Sequence, residues 1–126
     1  MKIYLTIFSL LFFSTKALPD WIEYKAMPNG NVHFYSEKSV QKQNNNIFEV
    51  ESRIRYKTSL MGAFSYQRTV RIDCRTFSET TLRSTFFRDK NWSKPTMKPD
   101  ATEKPKTVII AASATEKLAI ILCHNK

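Results

Sequence analysis

The chain has 126 residues, with 20 Lys+Arg against 11 Asp+Glu for a formal net charge of +9, and it holds two cysteines and two histidines. This length makes one domain whose core is adequate rather than generous, and it excludes a multidomain enzyme. So few histidines and cysteines leave no adequate zinc set once the thiols pair, and the expectation is a protein without metal or cofactor. The basic balance favours acidic partners such as anionic lipid, sulfated glycan or nucleic acid, although the same charge also keeps a small domain soluble.

Met1-Lys2 is a short positive start, followed by the apolar residues 3–13, IYLTIFSLLFF. That run has the length of a signal-peptide core and is too short to span a bilayer as a helix. Thr15 and Ala17 supply small residues at the −3 and −1 positions of a cut after Ala17. The expectation is a signal peptide over 1–17 and a mature domain over 18–126, exported to the periplasm, the cell surface or the medium. No cysteine sits just after the cut, so no lipid anchor is expected there, and no transmembrane segment is expected in the mature chain. Losing Lys2 and Lys16, and no acid, lowers the charge from +9 to +7.

Residues 21–25 and 32–36 read as strands joined by Met27-Pro28-Asn29-Gly30-Asn31, where Asn-Gly marks a hairpin turn. Residues 41–46, QKQNNN, read as a polar connection. Residues 48–57 then alternate with period two. Phe48, Val50, Ser52, Ile54 and Tyr56 face one way, and Glu49, Glu51, Arg53, Arg55 and Lys57 the other. After a loop over 58–63 the pattern returns, with Phe64, Tyr66, Val70, Ile72 and Cys74 on one face, interrupted by Arg68. Residues 80–88 form a further run, with Leu82 and Phe86 on one side. Residues 91–106 carry Pro95, Pro99 and Pro105 and read as an irregular loop.

The end of the chain reads as a helix. Ser113 and Glu116 form a capping box, and Ala114, Leu118, Ile121 and Leu122 recur at helical spacing. So short a helix needs the sheet to cover its apolar stripe. Cys74 projects from the core face of a strand and Cys123 from the last turn of the helix covering that face. In an oxidising compartment the two pair, closing a loop of roughly fifty residues worth about 4 kcal/mol by chain entropy. The alternative is two free thiols. The fold expected is therefore α+β and mainly β: an antiparallel sheet of about five to six strands, with a C-terminal helix packed on one face and tied by a disulfide.

Arg53, Arg55, Lys57, Arg71 and Arg75, with Arg83 beside them, share the exposed parity of two adjacent strands and form a candidate site for anionic ligands. Arginine is suited to it because its planar fork matches phosphate and sulfate. Against this stands a solvated face on which Glu49, Glu51 and Asp73 pair with the arginines. No aromatic interleaving of the kind that stacks single-stranded nucleic acid is evident on that parity, and no specific nucleic acid is expected. Tyr35, Phe87 and Trp92 are the candidate exposed aromatics, with Trp92 also readable as a loop anchor. His33 and His124 read as surface histidines, and Glu49 and Glu51 lie beside cations that suppress a catalytic role.

Asp20-Trp21, Phe34-Tyr35-Ser36-Glu37-Lys38-Ser39-Val40, the long basic strand ending near Tyr56, Ile72-Asp73-Cys74, Trp92 and the Ser-x-x-Glu helix ending in Leu122-Cys123 occur in one order and spacing. In these residues the chain resembles the surface-adhesin protein E-like domain of bacterial exported proteins. It departs from that pattern at Ser36, where Asp is usual, and it lacks the tryptophan often seen in the basic strand. The resemblance implies a sheet of about six strands with the helix held on its concave face by the disulfide. It also implies adhesion to host matrix proteins. The expectation is a non-enzymatic, adhesin-like binding domain of the bacterial envelope. The alternative is a periplasmic accessory protein that binds another envelope protein, through a sheet edge, or an anionic envelope component.

Overall fold

The computed structural model describes residues 20–124. The expected signal peptide over 1–17 lies outside them. Among the described residues, seven strands form one antiparallel sheet with a single helix against it. The strands are β1 (Trp21–Ala26), β2 (Val32–Ser36), β3 (Gln41–Asn44), β4 (Ile47–Leu60), β5 (Ala63–Asp73), β6 (Ser78–Phe87) and β7 (Thr107–Val108), and α1 covers Ala114–His124. The order is β1-β2-β4-β5-β6-β7, and β3 also pairs with β4. At 14 residues β4 is long enough to take β3 against Ile47–Glu49 and β2 against Ser52–Arg55 along the same edge.

The expected alternation of β4 and β5 is present, and their register joins the apolar sets. Phe48 lies opposite Ile72, Val50 opposite Val70, Ser52 opposite Arg68 and Ile54 opposite Tyr66. Ala114, Leu118, Ala119 and Leu122 of α1 pack on this inner face with Tyr24, Tyr35, Phe48, Val50, Val70, Ile72 and Ile109. Ser113 Oγ accepts from the Glu116 N–H at 3.1 Å, and the Glu116 carboxylate accepts from the Ala112 N–H at 2.9 Å, one residue earlier than the usual return bond of a capping box. Cys74 and Cys123 form the disulfide, with their Cα atoms 5.7 Å apart.

Three expectations about strands and turns are corrected, and the irregular loop expected over 91–106 is present. The polar connection over 41–46 contains β3, whose four residues are all exposed, so no buried face existed to impose an alternation. The loop over 58–63 is only the turn Met61-Gly62, because β4 runs to Leu60 and β5 begins at Ala63. In β6 the register jumps from Arg83 to Thr81, making Leu82 the extra residue of a bulge, so the parity of Phe86 does not carry back to it. Residues 91–106 lack regular structure but run beside β6. Arg88 N bonds Lys94 O, Thr96 N bonds Phe86 O, Ser84 and Asp100 exchange a pair of bonds, and Lys104 N bonds Thr81 O. This strap closes the β6 edge against further strands, and at the opposite edge β1 is bulged between Glu23 and Lys25.

Arg68, which interrupts the apolar set, crosses the inner face. It bonds Glu79 at 2.9 Å, Thr81 at 2.8 Å and Thr115 of α1 at 3.2 Å, tying the start of the helix to β6. His33 is half-buried rather than a surface residue. It lies opposite Ile54 on β4, with its ring 6.0 Å from that of Tyr24. Burial, then the nearby Arg68 charge, lowers its pKa from 6.5 to about 4.

This shift sets a pH dependence. The unfolded chain takes up a proton at His33 near pH 6.5, whereas the folded chain resists it until about pH 4. Stability from this group is therefore complete above pH 6.5 and falls as pH drops toward 4. The aspartates with lowered values, Asp73, Asp89 and Asp100, begin to act only below about pH 5, and they act alike in wild type and variant. Urea midpoints should decline across the window in the wild type and stay flatter in His33→Phe. Parallel slopes in the two proteins would sink the assignment.

Candidate functional site

The outer face of the sheet, opposite α1, carries the charged parity of β4. Cross-strand pairing removes part of that charge. Glu49 bonds Arg71 at 3.0 Å, with Glu103 a further 3.8 Å partner of the same arginine. Glu51 accepts from the Gln67 amide at 3.0 Å and lies 4.0 Å from Arg83. Asp73 pairs with Lys106 at 3.1 Å and accepts from the Arg75 and Thr76 N–H groups, and the Lys106 bond is the first cause of its lowered pKa. The acids of this face are thus engaged away from Arg53 and Arg55.

Arg53 and Arg55 instead lie among aromatic rings. The Arg53 guanidinium carbon is 4.0 Å from the Trp21 ring centroid and 4.6 Å from that of Trp92. For Arg55 the values are 4.9 Å to Trp92 and 5.2 Å to Phe34. Phe34 meets Trp92 edge to face at 5.7 Å. The result is a ladder, Trp21–Arg53–Trp92–Arg55–Phe34. Each Nε is also fixed: Arg53 donates to Gln67 Oε1 at 2.8 Å and Arg55 to the Lys90 carbonyl at 3.3 Å. Burial lowers the proton affinity of Arg53, and the Glu51 carboxylate opposes that effect. Neither guanidinium has a carboxylate partner among the described residues.

The rings arrive from three parts of the chain. The pairing of Phe34 with Arg53 and of Trp21 with Ser36 puts both aromatics on the arginine parity. Ser36 Oγ caps the single 3-10 turn Glu37–Ser39 by accepting from Ser39 N at 3.2 Å, and donates to Asp20 at 2.6 Å. Ser36 therefore fills the capping role at the start of this turn. Trp92 comes from the strap. Its indole donates to the Tyr66 carbonyl at 3.1 Å, and its backbone is left-handed, with φ 55°. Asp89 holds that conformation by accepting from the Asn91, Ser93 and Lys94 N–H groups and the Ser93 hydroxyl, which keep its pKa at about 2.

Of the expected anion-binding set, the structure brings Arg53 and Arg55 together and leaves Lys57 exposed at the end of the same row. Arg71 is neutralised by Glu49, and Arg75 lies beyond the end of β5, in the turn to β6. The cross-strand pairs expected of a solvated face are present for Glu49 with Arg71 and Glu51 with Arg83, and neither acid pairs with Arg53, Arg55 or Lys57 beside it. The expected lack of aromatic interleaving is also overturned, by Trp21, Phe34 and Trp92. Spacing does not put Trp21, Phe34 or Trp92 on that parity, because only the register of β1 and β2, and the path of a loop, place them there. Tyr35 and Phe87 are buried, whereas Trp92 is the loop anchor. A groove of about 190 Å³ beside the ladder is lined by Glu51, Gln67, Thr69, Arg83, Thr85 and Pro99.

Among the described residues no group of three or more His, Cys, Asp or Glu is placed to hold a metal ion, and no helix is long and apolar enough to cross a membrane. What the ladder does chemically is hold two permanent cations in fixed orientation with their terminal N–H groups free of acids. Each cation–π contact is worth roughly 0.5–2 kcal/mol, and a fixed guanidinium loses less entropy on binding an anion than a mobile one.

Residues 21–124 match the family model described as surface-adhesin protein E. No curated protein sequence matches the chain. Among solved structures, Haemophilus influenzae protein E is similar with TM-score 0.64 and 16% identity, covering 91% of this chain and 92% of that one. A second crystal form of that protein gives 0.63 at 16% identity, over 91% and 95%. Protein E from non-typeable Haemophilus influenzae gives 0.62 at 16% identity, over 91% and 82%. At such identity the likeness to these structures is one of fold.

If Asp89 is what holds Trp92 in the ladder, Asp89→Ala frees the indole. In a Trp21→Phe background, which leaves Trp92 as the sole fluorophore of its kind, Asp89→Ala should red-shift emission and raise quenching by acrylamide. An unchanged spectrum would remove Asp89 from the account.

Proposed function

The chain belongs to the surface-adhesin protein E family, and on that premise we propose that it is an exported, non-enzymatic binding domain of the bacterial envelope. In this reading residues 1–17 direct export and 18–126 are the binding domain. Its contact surface is the outer sheet face, and its ligand is a host matrix or envelope component bearing acidic or sulfated groups. The observation that carries the reading is the pair Arg53 and Arg55, held between aromatic rings and without an acid of their own. An isolated exposed cation on a solvated face needs no such support. Two oriented guanidinium groups are suited to bidentate bonds with carboxylate, sulfate or phosphate. The ladder also bears on nucleic acid: Trp92 already has two guanidinium groups against its ring, which competes with base stacking.

The alternative of an accessory protein joined through a sheet edge finds less support, because the strap occupies the β6 edge and a bulge interrupts β1.

The test is binding of the purified protein to immobilised matrix and envelope extracts across a salt series. Reversing Arg53 and Arg55 to Glu should weaken binding by about tenfold or more, on the order of 1.4 kcal/mol. Arg71→Glu, which alters an arginine already paired with Glu49, should have a smaller effect. Thermal melts of each variant separate lost binding from lost folding. Equal losses in correctly folded R53E/R55E and R71E would reject the ladder as the contact surface.

A further inference from the structure

The far end of the β4–β5 hairpin has a composition that folding does not explain. Pairing of β4 with β2 stops at Arg55, and residues 57–62 are all exposed. The turn itself is Met61-Gly62, both in the left-handed region with φ 52° and 87°. Gly, Asn or Asp is the ordinary choice for such a position, and a methionine there meets a steric cost without any packing in return. Met61 is nevertheless 99% exposed, beside Leu60 at 50% and Met97 at 70%. With Ala63, Phe86 and Thr96 these side chains line an apolar groove of about 310 Å³.

Cations flank this apolar end along the chain. The last pair of β6, Phe87 with Ser65, lies two residues from the start of β5, so Arg88 and Lys90 follow at the hairpin end of the sheet. Lys90 Nζ donates to the Lys57 carbonyl at 3.2 Å. The strap runs back along β6 through the Arg88–Lys94 and Phe86–Thr96 bonds and brings Lys94 and Lys98 alongside. None of Lys57, Arg88, Lys90, Lys94 and Lys98 is in an ion pair among the described residues. The neighbouring acid, Asp89, is engaged with N–H groups of its own loop.

We propose that this hairpin end docks on an anionic lipid bilayer. Leu60, Met61 and Met97 enter the boundary between headgroups and acyl chains, and the flanking unpaired cations rest on the lipid phosphates. An apolar tip flanked by unpaired positive charge is complementary to that surface, which offers phosphate and hydrocarbon side by side. Each basic residue near an anionic leaflet strengthens partitioning on the order of fivefold, and inserted apolar side chains add to that. This surface lies at the end of the sheet and adjoins the ladder at Lys57, the end of the arginine row, and at Lys90, whose carbonyl accepts from Arg55.

Co-sedimentation with vesicles tests it, using phosphatidylcholine alone and phosphatidylcholine containing phosphatidylglycerol. Wild type and variants are purified with the same N-terminus, so any contribution of that segment is common to all. Wild type should pellet with the anionic vesicles and remain largely in solution with the neutral ones. The L60S/M61D variant, altered only at exposed positions and checked by thermal melting, should lose about tenfold in partitioning. K117Q, which removes one exposed cation on α1, should pellet as the wild type does. Equal pelleting with both vesicle types, undiminished pelleting of L60S/M61D, or no pelleting at all would overturn the proposal.

Discussion

The register of β4 against β5, with Val50 opposite Val70 and Arg53 opposite Gln67, decides what each face of the sheet carries. A slip of one residue would turn Phe48 and Val50 outward and drive Glu49, Glu51 and Arg53 against α1. Burial of the inner set prevents this, since Val50, Val70, Ile72 and Leu118 are almost wholly removed from solvent. The disulfide acts on the same register from a distance. It joins the end of β5 to the last turn of α1, so the helix cannot leave the face that specifies the alignment.

With the register fixed, the charges of the outer face sort by competition. An exposed ion pair contributes about 0–1 kcal/mol, whereas a guanidinium stacked between two rings gains from each of them. Glu49 is opposite Arg71 and takes it, and Gln67 bridges Glu51 to Arg53, bonding each through a different end of its amide. Arg53 and Arg55 are left to the rings. The tryptophan of the ladder's middle rung sits in a left-handed backbone conformation, supported by the Asp89 bonds rather than by regular structure. The strap that delivers it also closes the β6 edge, so one loop both limits strand addition and completes the outer face.

Much of this was legible in the sequence because period two and period 3.6 report burial directly. The facing of residues 48–57, the pairing of Cys74 with Cys123 and the Ser113–Glu116 cap all follow from local spacing. What spacing does not carry is which strands become neighbours and where a loop goes. Trp21 reaches Arg53 and Phe34 reaches Arg55 only because β1 pairs with β2 and β2 with Ser52–Arg55 of β4, and Trp92 joins them only because Asp89 shapes the strap. Residues 41–44 gave no signal as a strand because no face of β3 is buried. His33 read as a surface residue because its cover comes from Tyr24 on the paired strand β1, which spacing within β2 does not report.

The central claim is that ligand meets the outer face at the arginine–aromatic ladder. The chain's two tryptophans, Trp21 and Trp92, are both rungs of it, so the two indole N–H signals of a proton–nitrogen correlation spectrum report on the site directly. On titration with a heparin-derived oligosaccharide, a probe of sulfate chemistry, both signals should move together and saturate at the same concentration. Indole signals that stay in place while the oligosaccharide binds would contradict the account.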